Sequence, residues 1–376
     1  GAAGGSGGAA GGSGGASGGS GGSTGGAGGA MGGSGGSAGG SPDVAVYRVG
    51  DGSAGGAGLV NTGNPVFLDE WSPTGALVKT TAIPTTASGS NKPLIASGTA
   101  TSEGLITRSS DTHYILLTGY GTTLGGSTSL SGSSLPRVVG RVDASGNVDT
   151  STAPSDFASG NNPRTAASTD GTNIWIAGGA GGVRYTTLGT TGTSTQLSTT
   201  LTNIRQTSIF AGQLYISTGS GSSIRIGPVG AGLPTTSGQT ITTLPGIPTA
   251  SASSPYQFFM ADLDGVAGLD TIYVTDDATS GTTGGLTKYS LVSGTWTSNG
   301  VVGAGGDGYR GVTGVVNGAT VTLFAVRKGG STASGGGELV SITDANGFNA
   351  SFSSTPTLLA TAAANTAFRG VALAPQ

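Results

Sequence analysis

The sequence FRGVALA at Phe368–Ala374 is a short β-forming run with no further strand-like sequence after it. The same kind of run, a polar residue followed by small or apolar residues, occurs five more times earlier in the chain. These earlier copies begin at Glu103, Arg164, Arg205, Tyr256 and Arg310. Successive copies are about 40 to 60 residues apart, and self-similarity at such a spacing indicates a repeat architecture.

Two further strand types follow the first one in each complete unit. The second is strongly β-forming, with copies at 114–119, 174–178, 214–219, 271–276 and 321–326. The third leads into a turn, with copies at 138–146, 182–189, 224–230, 286–294 and 338–347. A Thr-rich fourth strand completes the unit. Four short strands per repeat at this spacing are typical of the blades of a β-propeller.

The copy at 368–374 lacks its three following strands, and runs of the matching types stand at the front of the chain. They read VAVYRVG (44–50), VFLDEW (66–71) and LVKTTAI (77–83). We therefore predict an all-β, six-bladed propeller with four-stranded antiparallel blades. Pairing of the C-terminal strand with the N-terminal strands would close the ring and remove exposed sheet edges. No sustained apolar period of 3.6 residues occurs, which predicts essentially no helix.

The predicted domain organisation has two parts, a low-complexity tail over residues 1–42 and the propeller over residues 43–376. The predicted blades cover approximately 103–154, 163–202, 203–246, 255–303 and 308–362, and a closing blade of 366–376 plus 43–85. The tail contains almost only Gly, Ala and Ser, in a GGxGGxx unit repeated five times. It is either a flexible tether or an extended chain that packs against copies of itself through close backbone approach, which only Gly permits.

Seven stretches of the predicted propeller are distinctive as whole phrases. They are VAVYRVGDG (44–52), PVFLDEWSPTGALV (65–78), ASGTATSEGLITRS (96–109), RVVGRVDASGNVDTST (137–152), GLPTTSGQTITTLPG (232–246), LTKYSLVSGTW (286–296) and AFRGVALAP (367–375). These phrases resemble a widespread bacterial family of secreted β-propeller proteins. Some members of that family carry a C-terminal surface-sorting segment. The resemblance spans about residues 43–375, and it implies export and an extracellular or cell-surface location.

Composition excludes several classes of function. The chain has 77 Gly among 376 residues, no Cys, one His and a formal net charge of −3. Thiol catalysis, disulfides and Cys/His zinc sites are therefore excluded. The charge balance argues against nucleic-acid binding, and no apolar run approaches the roughly 20 residues of a membrane-spanning helix. Without a concentrated group of His, Asp and Glu, we predict that the chain has no catalytic residues and is not an enzyme.

Four arginines occupy equivalent places at the first strand of their units. They are Arg164, Arg205, Arg310 and Arg369. Because the first strand of a propeller blade lines the central channel, these side chains are predicted to form a guanidinium ring at one channel mouth. Such a ring could bind an anionic ligand or a carboxylate-bearing partner. The alternative is that each arginine bonds neighbouring turn carbonyls and acids and so joins one blade to the next.

The segment from Asp262 to Asp270 is the candidate metal site. Asp262, Asp264 and Asp270 occupy loop positions 1, 3 and 9, which resembles the calcium loops of integrin-type propeller repeats. Val266 at position 5 offers no side-chain ligand, and Gly265 stands at position 4 rather than 6. The alternative is a plain Asp-Gly turn between two strands, with no cofactor.

Two functional hypotheses follow from these observations. The first is a non-enzymatic extracellular structural protein, in which the propeller is a rigid body and the tail connects it to copies of itself. The alternative is a monomeric secreted binding module that takes an extracellular glycan or another anionic ligand at the channel mouth.

Overall fold

The computed structural model describes residues 41–52, 58–219, 226–249, 253–278 and 284–376. The predictions for the GGxGGxx tail fall outside these residues, except at its last two positions. The described part of the chain contains no helix with the length and hydrophobicity of a membrane-spanning segment.

The structure is almost entirely β, with one short 3-10 turn at Gly305–Asp307. In chain order the strands are β1 Val44–Val49, β2 Val66–Trp71, β3 Leu77–Ala82, β4 Thr107–Arg108, β5 Tyr114–Tyr120, β6 Arg137–Asp143, β7 Val148–Thr152, β8 Pro163–Ser168, β9 Asn173–Gly178, β10 Arg184–Thr187, β11 Thr195–Gln196, β12 Gln206–Phe210, β13 Gln213–Ser217, β14 Ile226–Pro228, β15 Pro255–Ala261, β16 Thr271–Asp276, β17 Gly285–Val292, β18 Thr295–Val302, β19 Gly311–Asn317, β20 Thr320–Arg327, β21 Gly335–Gly336, β22 Glu338–Asp344, β23 Thr357–Thr361 and β24 Thr366–Leu373.

These strands form six sheets, which are the six blades of a propeller. Blades 1 to 5 begin at their innermost strands β4, β8, β12, β15 and β19, and each continues outward with the strands that follow in sequence. Blade 6 contains β24, β1, β2 and β3, with the short strand β21 parallel to β24. The predicted six-bladed propeller fold is confirmed.

Ring closure follows the predicted pairing of the two ends of the folded region. β24 runs antiparallel to β1, with a register that extends from Val44 opposite Leu373 to Val49 opposite Ala367. β1 in turn pairs with β2 along its whole length. Because β24 occupies the free edge of β1, the N-terminal sheet has no open inner edge.

Blade 3 is the least regular blade. Its described residues form three strands, β12, β13 and β14, and the fourth position is marked only by an isolated bridge between Val229 and Ile241. Backbone bonds from the amide of Gly230 to Thr240 and from the amide of Leu244 to Ile226 flank this bridge. Pro228, within β14, has no N–H to donate between them, which interrupts the ladder at the outer edge of this blade.

Each pair of neighbouring blades encloses its own apolar core, and together these cores form a ring of six clusters. Because side chains alternate along a strand, one strand contributes apolar groups to the cores on both sides of its blade. On β5, Ile115 and Leu117 pack towards blade 6, whereas Leu116 packs towards blade 2. Side chains on a strand alternate between faces, so a blade with two buried faces must be apolar at consecutive positions.

The propeller axis is closed by side-chain and backbone contacts. Gln257 on β15 donates from Nε2 to the carbonyls of Ile106 and Val371, both at 2.9 Å, and its Oε1 accepts from the amide of Val312 at 3.3 Å. Gly370 lies so close to blade 1 that a Cβ there would be 2.4 Å from the carbonyl oxygen of Gly104. One amide side chain therefore joins the inner strands of four blades.

Candidate functional site

One residue from each blade lies within four residues of the start of the innermost strand. We call these six residues the mouth ring, and in blade order they are Glu103, Arg164, Arg205, Tyr256, Arg310 and Arg369. Electrostatic interactions link them around the axis, since Arg369 interacts with Glu103, Arg310 and Tyr256, and Arg164 interacts with Arg205, Tyr256 and Glu103. The ring contains four cations and one acid.

On one side of the ring, Arg164 and Arg205 are contributed by blades 2 and 3. Arg164 is only 6% exposed, and its Nη1 donates to Oδ1 of Asn203 and, at 2.9 Å, to the carbonyl of Ile204. Nε of Arg164 is buried and has no acceptor. Arg205 is half-buried, donates from Nη1 to the hydroxyl of Tyr256, and has its guanidinium carbon 4.2 Å from the Tyr256 ring centroid.

On the other side, Arg310 and Arg369 are contributed by blades 5 and 6. Arg369 is only 3% exposed and donates to the carbonyls of Gly330 at 3.0 Å and Gly98 at 2.9 Å. Its Nε is also buried without an acceptor. Arg310 donates from Nε to Asp277 at 2.9 Å, and its guanidinium carbon lies 5.5 Å from the Tyr256 ring centroid.

Glu103 is the acidic member of the mouth ring, and it is 3% exposed. Its carboxylate accepts hydrogen bonds from the hydroxyl of Tyr120, from Nδ2 of Asn162 and from the amide of Ser97. Burial raises the pKa of Glu103, and the three donors together with Arg369 oppose that rise. These three donors therefore bind the carboxylate, and no arginine among the described residues forms a salt bridge with it.

The mouth ring therefore carries more positive charge than the neighbouring acids Glu103 and Asp277 neutralise. Among the described residues, Arg310 has a salt bridge, to Asp277, and none is found for Arg164, Arg205 or Arg369. Burial, assisted by the neighbouring Arg205, lowers the pKa of Arg164 to about 10. Burial likewise lowers the pKa of Arg369 to about 10, and Glu103 opposes this fall more strongly than Arg310 adds to it. Both shifts reflect mainly the unfavourable burial of a cation, to which the neighbouring arginine adds.

The four arginines predicted from the sequence are thus brought together, and the interblade bonding foreseen as the alternative is also present. Arg164 bonds the segment before β12, and Arg369 bonds the carbonyls of Gly98 and Gly330. Sequence reasoning placed Glu103 and Tyr256 at equivalent strand starts but did not assign them to the ring. A position-by-position alignment of the six innermost strands would have included both Glu103 and Tyr256 in the ring.

The three aspartates of the predicted calcium loop also converge. Their carboxylate oxygens lie within 4.8 Å of one another, with Asp262 and Asp264 exposed and Asp270 buried. Asp270 accepts from the amides of Leu263 and Asp264 and from the hydroxyl of Thr271. Such hydrogen bonds are expected for the alternative, a plain Asp-Gly turn between two strands. Calcium binding at this loop stays a prediction.

Comparison with known proteins assigns the chain to no family. No protein-family model matches the chain, and no curated protein matches it. Among solved structures, a "putative 6-phosphogluconolactonase" from Bacteroides uniformis is similar at 14% identity and a TM-score of 0.43, covering 85% of this chain and 83% of that one. One from Bacteroides fragilis has 13% identity and a TM-score of 0.45, with coverage of 85% and 82%. A chain of a nidogen/laminin complex has 12% identity and a TM-score of 0.47, with coverage of 87% and 97%.

The prediction that the chain is not an enzyme is corrected by this comparison, because two of the similar propellers are named as putative lactonases. The prediction relied on the absence of clustered His, Asp and Glu in the sequence. That reasoning was too narrow, since a propeller gathers residues that are distant in sequence at one mouth, as the buried Glu103 and the arginines show. At 13% to 14% identity and TM-scores of 0.43 and 0.45, the lactonase activity is not carried over to this chain.

Proposed function

We propose that the mouth ring binds a small anionic ligand through its arginines. The observation that carries the proposal is the state of Arg164 and Arg369, which are buried, have no salt bridge among the described residues and keep an Nε without an acceptor. Buried charges in proteins are normally paired, because removing an ion from water is unfavourable by several kcal/mol. An anionic ligand at the channel mouth would compensate the excess positive charge of these guanidinium groups.

Carboxylates and phosphates suit this site better than neutral sugars do. Guanidinium groups bond such anions with two parallel N–H donors, and these charge-assisted bonds are about twice as strong as neutral ones. A neutral glycan would leave the positive charge of the arginines uncompensated. We therefore narrow the glycan alternative to acidic sugars, and the resemblance described above supports an extracellular setting for this binding.

Anion binding is tested by thermal unfolding at low ionic strength with inorganic phosphate, sulfate and acetate. A ligand that binds only the folded state at 100 times its Kd adds about 2.7 kcal/mol of stability, so we expect a rise in Tm of several degrees. The doubly substituted Arg205→Gln/Arg310→Gln protein should lose this rise. Arg141→Gln is the control, because Arg141 is a half-buried arginine that pairs with Asp149 on blade 1. Equal responses of all three proteins would contradict the proposal.

Self-association through the tail is a second proposal, favoured by the five GGxGGxx repeats. Glycine lacks a Cβ, so repeated glycines let extended backbones approach closely. Light scattering after size exclusion should then give oligomers for the intact chain and monomers for a chain that begins at Pro42. A monomeric intact chain, or oligomers of the shortened one, would remove the tail from this role.

A further inference from the structure

The mouth ring is divided into two arginine pairs. Arg164 and Arg205 come from the adjacent blades 2 and 3, and Arg310 and Arg369 come from the adjacent blades 5 and 6. Tyr256 on blade 4 separates the pairs on one side of the axis, and Glu103 before blade 1 separates them on the other. Around the ring, one residue that is not an arginine is therefore followed by two arginines, and this order occurs twice.

The two pairs have the same internal organisation. Each has one deeply buried arginine whose Nε lacks an acceptor, which is Arg164 in one pair and Arg369 in the other. Each also has one half-buried arginine whose guanidinium lies near the same aromatic ring, that of Tyr256. A repeated arrangement of this kind indicates two equivalent binding positions rather than one diffuse positive surface.

The pairs differ in charge and in open space. Arg310 is partly neutralised by Asp277 at 2.9 Å, whereas Arg164 and Arg205 have no such partner among the described residues. Between Arg310 and Arg369 lies a small pocket of about 10 Å³, which is room for about one water molecule, bordered by Thr101 and the backbone of Gly308 and Gly329. We expect the Arg164–Arg205 pair to hold an anion more tightly, because no acid among the described residues forms a salt bridge with either arginine.

The separation between the two pairs is bounded by their shared neighbour. The guanidinium carbons of Arg205 and Arg310 lie 4.2 and 5.5 Å from the Tyr256 ring centroid, so they are at most about 10 Å apart. A short molecule with an anionic group at each end can reach both arginines. Beneath the ring, Gln257 joins four inner strands, so such a molecule would lie across the mouth and not along the axis.

We propose that the two arginine pairs are two anion subsites on either side of Tyr256, and that the ligand is a short dicarboxylate that occupies both. This inference rests on the proposed function, because it requires that the mouth ring binds anions. Once one carboxylate is bound, the second binds at a high effective concentration, and linked binding of this kind raises affinity by roughly 10² to 10⁴-fold. A monocarboxylate gains nothing from the second subsite.

Isothermal titration calorimetry of the full chain tests the inference with acetate, sulfate and the series malonate, succinate, glutarate and adipate. Acetate and sulfate should bind weakly, with two ions per chain. Sulfate is the control for charge alone, because it carries two negative charges on one compact group that cannot reach both subsites. One dicarboxylate of the series should bind with one molecule per chain and about 100-fold more tightly than acetate.

Arg205→Gln and Arg310→Gln each remove one subsite. In either variant the affinity for the best dicarboxylate should fall to the level of acetate, and acetate stoichiometry should fall from two to one. Arg141→Gln should bind as the unsubstituted protein does. If Arg205→Gln does not fold, Arg205→Lys keeps the charge but loses the two-donor geometry, and it should also lose most of the dicarboxylate advantage.

The outcomes separate this inference from the function on which it rests. Binding of acetate and sulfate, with no dicarboxylate better than acetate, overturns the two-subsite arrangement and leaves anion binding intact. If no anion gives a heat of binding, both the two-subsite arrangement and anion binding at the mouth ring are overturned. A tight dicarboxylate that is unaffected by Arg205→Gln and by Arg310→Gln places its site elsewhere and overturns both as well.

Discussion

Deletion of residues 366–376 should abolish cooperative folding of the propeller. This deletion removes β24, which supplies Ala367 and Ala372 to the core between blades 6 and 1 and Phe368 and Val371 to the core between blades 5 and 6. Burial of Phe368 and Val371 alone contributes roughly 3–6 kcal/mol. The deletion also leaves β1 with an unpaired edge. A net stability of about 5–15 kcal/mol is typical of folded proteins, so this loss is large.

Far-UV circular dichroism during thermal unfolding, together with size exclusion, measures the effect. The truncated chain should be aggregated or should melt without a sharp transition. Removal of Gln376 alone is the matched control, because that exposed residue follows β24 and should leave Tm within about 2 °C, as surface changes usually do. A synthetic peptide of residues 364–376 should restore a cooperative transition by adding the missing strand. A truncated chain that melts like the intact one would contradict the closure mechanism.

Lys288→Met should destabilise the propeller by about 3–5 kcal/mol, because it leaves a buried charge without its partner. Lys288 on β17 and Asp344 on β22 are 0% and 1% exposed, and Nζ lies 2.7 Å from Oδ2 of the aspartate. Nζ also donates to the carbonyls of Gly347 and Ala350, and the hydroxyl of Tyr273 donates to Asp344 at 2.6 Å. The pair therefore joins blades 4 and 5 inside their shared core.

Urea unfolding of a double-mutant cycle isolates this interaction. Asp344→Asn should also destabilise strongly, although its amide oxygen still offers an acceptor to the hydroxyl of Tyr273. The double variant Lys288→Met/Asp344→Asn should be less destabilised than the sum of the two single variants. The pair Arg141 and Asp149, which is partly exposed at 20% and 32%, is the control and should contribute about 0–1 kcal/mol. Additive effects at Lys288 and Asp344 would show that the two charges do not stabilise each other.

Prediction of the fold succeeded because the information is local and repeated. A strand such as Tyr114–Tyr120 must present apolar groups to both neighbouring blades, and this requirement is visible in the sequence as a continuous β-forming run. The isolated last strand and the surplus strands at the front then implied closure. Blade 3 departs from the pattern because Pro228 lacks the N–H that β14 would donate to its outer neighbour, and the repeat by itself does not show that this breaks the pairing.

Prediction of the site was partial for a different reason. Equivalence among strands predicted that the four arginines converge, but it did not reveal their partners. Asp277 follows the last residue of β16, at the opposite end of that strand from the calcium loop, and it bonds Arg310. The carbonyl of Gly98, which Arg369 contacts, comes from a connecting segment 271 residues away in sequence. No spacing rule links such positions.

The order of amino acids alone established the all-β propeller, its six blades, its closure by β24 and the column of arginines, because each of these is a repeated local pattern. Three-dimensional packing established which guanidinium nitrogens are buried without acceptors, how Tyr256 and Glu103 divide the arginines into pairs, and that Lys288 meets Asp344. Burial and charge compensation depend on every group within a few ångströms, and those groups come from segments that are far apart along the chain.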